Sequence, residues 1–563
     1  MMVKRNNIRQ YNMKRYSLSL LVLCGALLAT SCNDLNEQEP AGNKLSTNQM
    51  LATNEMIPER AAATFSGMFN YLGTPGIYGA ARADDFGAIS AALSCDAEGA
   101  DLILGDNGYN WFSAACTLQS RDVHYANPLM RYTIPYRQIG VANQIINSID
   151  ESTATGTPLN QLAQAHAIRA FDYMQLAPYF QFSYATSADK PCVPILTGTE
   201  DYFNNPRATV KQVYELILKD LDFAIAHLQG YTRPSKQYID LNVAYGLRAR
   251  ANLLMGNWAA AAADADKAMD GYTPASIAEV SVPAFDNIAD HNWIWGVDIT
   301  EAQLKSNSNA GYQNASSWLS AFSGEAYAAA TGNVPVINKL LFDKIPSTDV
   351  RKGWWLDANK HSPNWANITW TDPSKGTSAT GDAIADFEIE NVKTPFDAYT
   401  NIKFGQQSGI GNTLNNNDFP LMRVEEMILI KAEGLAKSGQ EATAKQVLED
   451  FVRTYRDPSY TVPSTRTLAD EIWFQRRVEL WGEGFFTMDA KRLGKNIVRI
   501  HAGESSNYPD AYQFNIKSDD GWLNLRFPQR EMDNNEGLKG NDNTGGALPV
   551  SGQNGDLRDG VTD

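Results

Sequence analysis

Two stretches of this chain repeat one spacing: Ala249, Gly256 and Ala261 in the first, Ala432, Gly439 and Ala444 in the second. A small residue, seven positions, a glycine, five positions and another small residue suit two closely packed antiparallel helices. Their backbones approach only where side chains are short, and the tight reversal between them favours glycine. The segments around both sites read as helices. In the clearest, TVKQVYELILKDLDFAIAHL, Thr209 can cap and Gln212 completes a capping box, while Val210, Val213, Ile217, Leu221, Ala224 and Leu228 line one face. Further helices are predicted over Pro58 to Tyr71, Ile134 to Ile149, Leu159 to Phe180, Val243 to Met255, Ala259 to Met269, Val424 to Lys437 and Ala442 to Tyr455.

The repeated spacing resembles the small-residue positions of the tetratricopeptide repeat, with Trp258 in the aromatic slot after the turn. Such pairs stack as a solenoid that holds partners. Between them, residues 73–131 and 281–422 are rich in Gly, Asn, Asp and aromatics, with only short strand-like runs such as Trp293 to Ile299. Loops this long are usually functional. No Pro/Ser linker cuts the chain, so one domain is expected over 55–532. The polar, glycine-rich stretch 533–563 is expected to be loosely ordered.

The N-terminus has the pattern of a secretory signal. Lys4, Arg5, Arg9, Lys14 and Arg15 precede the apolar run Ser17 to Ser31, with no acidic residue among them. That run is shorter than the roughly twenty residues a membrane-spanning helix needs. Met13 serves as a start as well as Met1. Leu27-Leu28-Ala29-Thr30-Ser31-Cys32 resembles a bacterial lipoprotein box, in which the cysteine is lipidated and becomes the first mature residue; ordinary cleavage is the alternative. Residues 1–31 would then be removed, and 32–54 would form the lipidated cysteine and a flexible tether. Removal takes five basic and no acidic residues from 48 Lys+Arg and 64 Asp+Glu, leaving a net charge of −21. Such a surface repels phosphate backbones, so no nucleic-acid partner is expected. Cys95, Cys116 and Cys192 remain: either Cys95 and Cys116 bridge, or all three are inert thiols.

Several segments resemble SusD-like (SusD/RagB) outer-membrane lipoproteins of Bacteroidetes. They are AHAIRAFDYMQLAPYFQFSYATSADKPCVPIL (165–196), RATVKQVYELILKDLDFAIAHL (207–228), NVAYGLRARANLLMGNWAAAAADADKAM, DFPLMRVEEMILIKAEGLAKSG (418–439), EIWFQRRVELWGEGFFTMDAKRLG (471–494) and LRFPQREMDNNEGL (525–538). Phe485-Phe486 replaces the arginine common after the Glu-Gly pair, and Phe527-Pro528-Gln529 departs from the usual Pro-Ile-Pro. The resemblance implies a mainly α fold, with four tetratricopeptide-like helix pairs supporting a loop-rich half. It implies a surface-exposed protein held to the outer membrane by lipid on Cys32. Such a protein would bind an oligosaccharide or polysaccharide and pass it to a SusC-like TonB-dependent transporter, catalysing no reaction. RagB-like members would serve peptide import instead; a surface glycosidase and a ligand-free interaction scaffold are the remaining rivals.

The residues themselves carry no metalloprotease, serine-hydrolase or phosphate-loop motif. The six histidines are isolated, and no cofactor or metal is expected. Asp533 to Asp542 offers oxygen atoms without EF-hand spacing. A carboxylate pair for glycoside hydrolysis needs only to meet in space. Glu425-Glu426 reads as a solvated or structural ion-pair face. Sugar recognition asks for flat aromatic faces with short polar groups beside them. Two loop clusters fit: Tyr109, Asn110 and Trp111 in DNGYNW, and Tyr312, Asn314 and Trp318 in GYQNASSW. In glucan-binding relatives the site is likewise formed by loops of the irregular half, though no motif aligns residue by residue. Trp293 and Trp295 read as core, Trp258 and Trp481 as packing, and at most one of Trp354 and Trp355 as a platform.

Overall fold

The computed structural model describes residues 58–76, 82–105, 111–305, 313–323, 334–372, 375–387 and 396–563. Cys32, the signal and the tether lie outside them. The chain divides into two units, Met1–Ala63 and Thr64–Asp563. Residues 58–63 of the first are helical, and the second is mainly α.

The helices of the second unit include α1 (Ala88–Ala97), α2 (Phe112–Cys116), α3 (Ala126–Ser148), α4 (Gly156–Phe180), α5 (Val210–His227), α6 (Leu241–Met255), α7 (Trp258–Ala268), α8 (Ala315–Leu319), α9 (Val424–Lys437), α10 (Glu441–Tyr455), α11 (Leu468–Glu479) and α12 (Phe486–Leu493). At the start of α5, Thr209 Oγ1 accepts the Gln212 N–H at 3.2 Å, while Gln212 Oε1 accepts the Thr209 N–H at 2.9 Å. The six apolar residues read along this face are all buried. In the pairs α6–α7 and α9–α10, all four alanines of the repeated spacing are buried, and Gly256 and Gly439 take φ of 81° and 85°. A side chain strains that left-handed conformation. α7 and α9 pack closely: a Cβ on Gly434 would lie 2.5 Å from the Trp258 carbonyl oxygen.

The short helices α2 and α8 lie in stretches read as loop, and two longer helices also depart from the sequence reading. α3 begins at Ala126, eight residues before Ile134, and runs through Pro135. Proline removes one helical hydrogen bond, but burial of Met130, Tyr132 and Ile134 on that first stretch outweighs the loss. α1 lies inside a stretch read as loop; its small residues lack the periodic large side chains that mark a helix, and tertiary burial holds it instead.

The strands are short, and two of the three pairs join distant parts of the chain. β1 (Leu102–Ile103) pairs with β3 (Val336–Ile337), β4 (Thr369–Thr371) with β5 (Ser378–Thr380), and β2 (Trp293–Val297) with β6 (Phe419–Arg423), all antiparallel. β6 runs directly into α9, so the β2–β6 pair ties the long central loop to the helices. Trp293 and Trp295 are buried as expected, and so are both Trp354 and Trp355, which leaves neither as a platform. Trp481 is buried and Trp258 partly so against the same core.

Where this loop half meets the helices, a buried ionic cluster forms. Glu479, at the end of α11, accepts from Arg456 Nε at 2.8 Å, Arg423 Nη1 at 3.1 Å and Arg351 Nη1 at 3.2 Å. Glu425 pairs with Arg423 and Arg456, and Glu483 with Arg423 and Lys403. Glu426 pairs with Arg250. Glu425-Glu426 is therefore a buried ion-pair element and not a solvated face.

Residues 533–563, expected to be loosely ordered, are pinned. Asn535 exchanges hydrogen bonds with the Asn205 backbone, Leu538 and Val561 are buried, and Asp559 accepts from Arg477 Nη1 at 2.6 Å, whose other nitrogens reach Asp101. Side-chain bonds to distant partners hold a segment whose composition announces flexibility. Cys95, Cys116 and Cys192 are free and buried, so the bridge between the first two is absent.

Asp96 in α1 is buried, and its carboxylate accepts the backbone N–H groups of Gly484 and Phe486 at 2.9 and 3.0 Å, capping α12 from outside. Burial, with Asp101 and Glu483 nearby, pushes its pKa up to about 7. Burial likewise raises Asp286 to about 7 and Asp418 to about 6. A carboxyl with a raised folded-state pKa contributes stability that is full below its unfolded value, about 4, and is lost as pH rises through the folded value. The thermal midpoint is therefore expected to fall as pH rises from 5 to 7, with a shallower slope in Asp96→Asn. A midpoint that rises over that window would contradict this assignment. Lys491, lowered by burial to about 7, acts in the opposite sense only above that pH.

Candidate functional site

The two loop clusters singled out in the sequence meet at the short run Arg82-Ala83-Asp84. Gln313 Nε2 donates to the Arg82 carbonyl at 2.7 Å, and Trp318 Nε1 donates to the Ala83 carbonyl at 3.0 Å. From the other loop, Trp111 stands at the N-cap of α2 with the Arg82 guanidinium carbon 4.6 Å from its ring centroid. Arg82 is itself forked onto Asp84, Nε to Oδ1 and Nη2 to Oδ2, both at 2.9 Å. Phe112, next to Trp111, packs edge-on against Trp318 with centroids 4.7 Å apart. Residues more than two hundred positions apart thus share one patch.

Within it the candidates separate. Trp318 is 0% exposed, with its indole N–H committed to Ala83. It offers no ring face and is a core residue, not a platform. Asn314 is 1% exposed, and its Oδ1 accepts the Ser317 N–H at 3.0 Å, capping α8. An amide spent on a helix cap does not serve a ligand hydroxyl. Trp111 alone among the described candidates stays partly exposed, packed on the core edge and oriented by the cation above it. Tyr109, Asn110 and Tyr312 lie outside the described residues.

Arg82 and Asp84 were not read from the sequence. Their signal is a charged run, Arg82 to Asp85, in an otherwise uncharged stretch, and only the fold sets it over Trp111. The ion pair holds the guanidinium in place and nearly cancels its charge. The result is an indole held between the core and a paired guanidinium. Among the described residues, no group of three or more His, Cys, Asp or Glu is arranged to hold a metal ion, and no helix is long and apolar enough to cross a membrane.

Two family models match. One is described as starch-binding associating with outer membrane and covers residues 98–251; the other, the SusD family, covers residues 375–545. No curated protein matches the sequence. Among solved structures, the chain is similar to a SusD-like carbohydrate binding protein from Bacteroides vulgatus, with 24% identity, TM-score 0.68, and 85% of this chain and 97% of that one covered. It is also similar to surface glycan-binding protein A from Bacteroides uniformis, with 15% identity, TM-score 0.56, and 86% and 100% covered. A laminarin binding SusD-like protein is similar at 17% identity and TM-score 0.57, with 85% and 98% covered.

Proposed function

Because the chain belongs to the SusD family, we propose that it is a glycan-binding lipoprotein of the cell surface that captures oligosaccharides and passes them to a SusC-like TonB-dependent transporter. The observation that carries this reading is Trp111: a partly exposed indole, beside Arg82, where two aromatic and amide-rich loops converge. A pyranose ring lays its C–H face on the exposed part of the indole, the contact that flat aromatic groups make best. The similar structures named for carbohydrate, surface-glycan and laminarin binding support the ligand class. No reaction is required; binding and release suffice.

The test is isothermal titration of residues 33–563 with laminarihexaose, maltohexaose, xylohexaose and mannohexaose, followed by chromatography of each mixture. At least one sugar is expected to bind and to be recovered intact. Binding of none, with peptides bound instead, overturns the reading in favour of a peptide importer; cleavage products would point to a glycosidase.

The anchor is Cys32, with the acidic stretch Asn33 to Glu39 as tether and signal for surface display. Multiple acylation gives the stable attachment that one chain does not. Mass spectrometry of the mature N-terminus is expected to show an acylated Cys32, and Cys32→Ala to release the protein from the membrane fraction. An unmodified N-terminus refutes the anchor.

A further inference from the structure

Apart from Trp111, the loop-rich half holds a second concavity, a groove of about 660 Å³ to which neither Trp111, Arg82 nor Gln313 contributes. Its size falls in the range of about 300–1,000 Å³ usual for small-ligand sites. Its walls come mainly from Ser347 to Gly353 and Trp355 to Ala366, with Ser281, Phe342 and Asp382 completing them.

Those walls are built and rigid. Asp382 accepts from His361 Nδ1 at 2.5 Å, from Trp365 Nε1 at 2.8 Å and from the Ser362 N–H at 3.4 Å. Asp357 Oδ1 accepts the N–H groups of Asn359 and His361 at 2.7 and 2.9 Å. Ser362 Oγ donates to the Gly353 carbonyl at 2.7 Å, and a Cβ on Gly353 would lie 2.4 Å from Asn364 Oδ1. The two sides of the groove are thus locked together. His361 and Asp382 nonetheless remain substantially exposed, at 59% and 47% of their side chains.

The lining selects the ligand class. Lys352 is spent on the Ile345 carbonyl at 2.7 Å and lies 4.8 Å over the Phe342 ring, so it is not free to meet a phosphate. The aromatic residues present, Phe342 and Trp355, are 6% and 1% exposed, so neither offers a ring face for stacking or a broad apolar floor for a lipid. What reaches the groove is mainly acceptor: the Asp357 and Asp382 carboxylates, with lone pairs beyond the N–H groups they already accept, and the exposed Ser347 hydroxyl, while Thr348 Oγ1 donates to Asp457 at 2.7 Å. Such a surface calls for a neutral ligand rich in donors. Carboxylates accepting from neighbouring hydroxyls make charge-assisted bonds, roughly twice as strong as neutral ones.

We propose that this groove is a second oligosaccharide site, which grips the hydroxyl edge of a sugar chain by hydrogen bonds where Trp111 holds a ring by its face. The proposal rests on the glycan-binding reading above, and the test separates the two. The hexasaccharide that binds most tightly in the four-sugar panel is titrated into the parent protein, Trp111→Ala, Thr348→Trp, Ser347→Trp and the double variant Trp111→Ala/Thr348→Trp. The tryptophans replace exposed residues and fill the groove; Ser347→Trp leaves the buried bonds in place, whereas Thr348→Trp also removes the Thr348 Oγ1 donor to Asp457. Two sites per chain are expected in the parent, one in each single variant and none in the double. In Trp111→Ala, hydrogen exchange over residues 347–366 is expected to slow when the sugar is added. One site in the parent that Trp111→Ala abolishes, or unchanged exchange over 347–366 in that variant, overturns the second site and leaves the first reading standing. Failure of every sugar to bind the parent overturns both.

Discussion

Replacing Glu479 by glutamine is expected to destabilise the fold by about 3–5 kcal/mol, the usual cost of removing one partner from a buried ion pair. The isosteric change keeps the size of the side chain, removes the charge and turns one acceptor oxygen into an NH2 donor that faces guanidinium donors. Three guanidinium groups, of Arg351, Arg423 and Arg456, converge on this carboxylate, and all four side chains are 0% exposed. Burial alone would raise the carboxyl, but Arg456, Arg423 and Arg351 hold it well below the usual range. Its stabilising contribution is therefore present above the ordinary glutamate value, about 4.3, and is lost only as pH falls through the depressed one. Between pH 5 and 8 the penalty should be constant, in contrast to the slope expected from Asp96. Chemical denaturation of the parent and Glu479→Gln at pH 5.5 and 7.5 checks both statements. A loss below about 1 kcal/mol would mean that the cluster's remaining carboxylates, Glu425 and Glu483, compensate.

Trp111→Ala is expected to weaken binding at its site about 30-fold, near 2 kcal/mol, the scale of an aromatic hot spot. The thermal midpoint should move little by comparison with a core indole, since the ring is only partly buried at the core edge. Trp318→Ala should do the opposite. Its buried indole fills space between Phe112 and Ala83, and truncation of such a side chain costs about 3–5 kcal/mol of stability. Titration and thermal unfolding of the two variants side by side separate a platform from a core residue. Equal effects on both readouts would remove the distinction on which the assignment of Trp111 rests.

The way these residues were legible differs. Helix boundaries such as Val424–Lys437 follow from periodicity and end signals, because the interactions that set them lie within one or two turns. The capping pair Thr209 and Gln212 is readable for the same reason. In GYQNASSW, by contrast, an aromatic and an amide looked like a sugar platform, yet the amide is a helix cap and the aromatic is core. The cap had a local signature, Asn314 three residues before Ser317. The burial of Trp318 had none, since it depends on Ala83 and Phe112 in another loop. The tail misled in the reverse sense: a polar, glycine-rich composition resembles disorder until Asn205 and Arg477 supply its partners.

By itself the sequence determined where most of the long helices run and where the chain reverses at Gly256 and Gly439. Those features depend on residues three to seven positions apart, within reach of backbone hydrogen bonds and neighbouring side chains. Only the tertiary structure decided which indole stays partly exposed, which arginine lies over it, which carboxylates are neutralised in the core and where a groove opens. Each of these is a meeting of residues tens to hundreds of positions apart. Burial and charge pairing are set by what lies across the contact, and that neighbour is chosen by the packed fold.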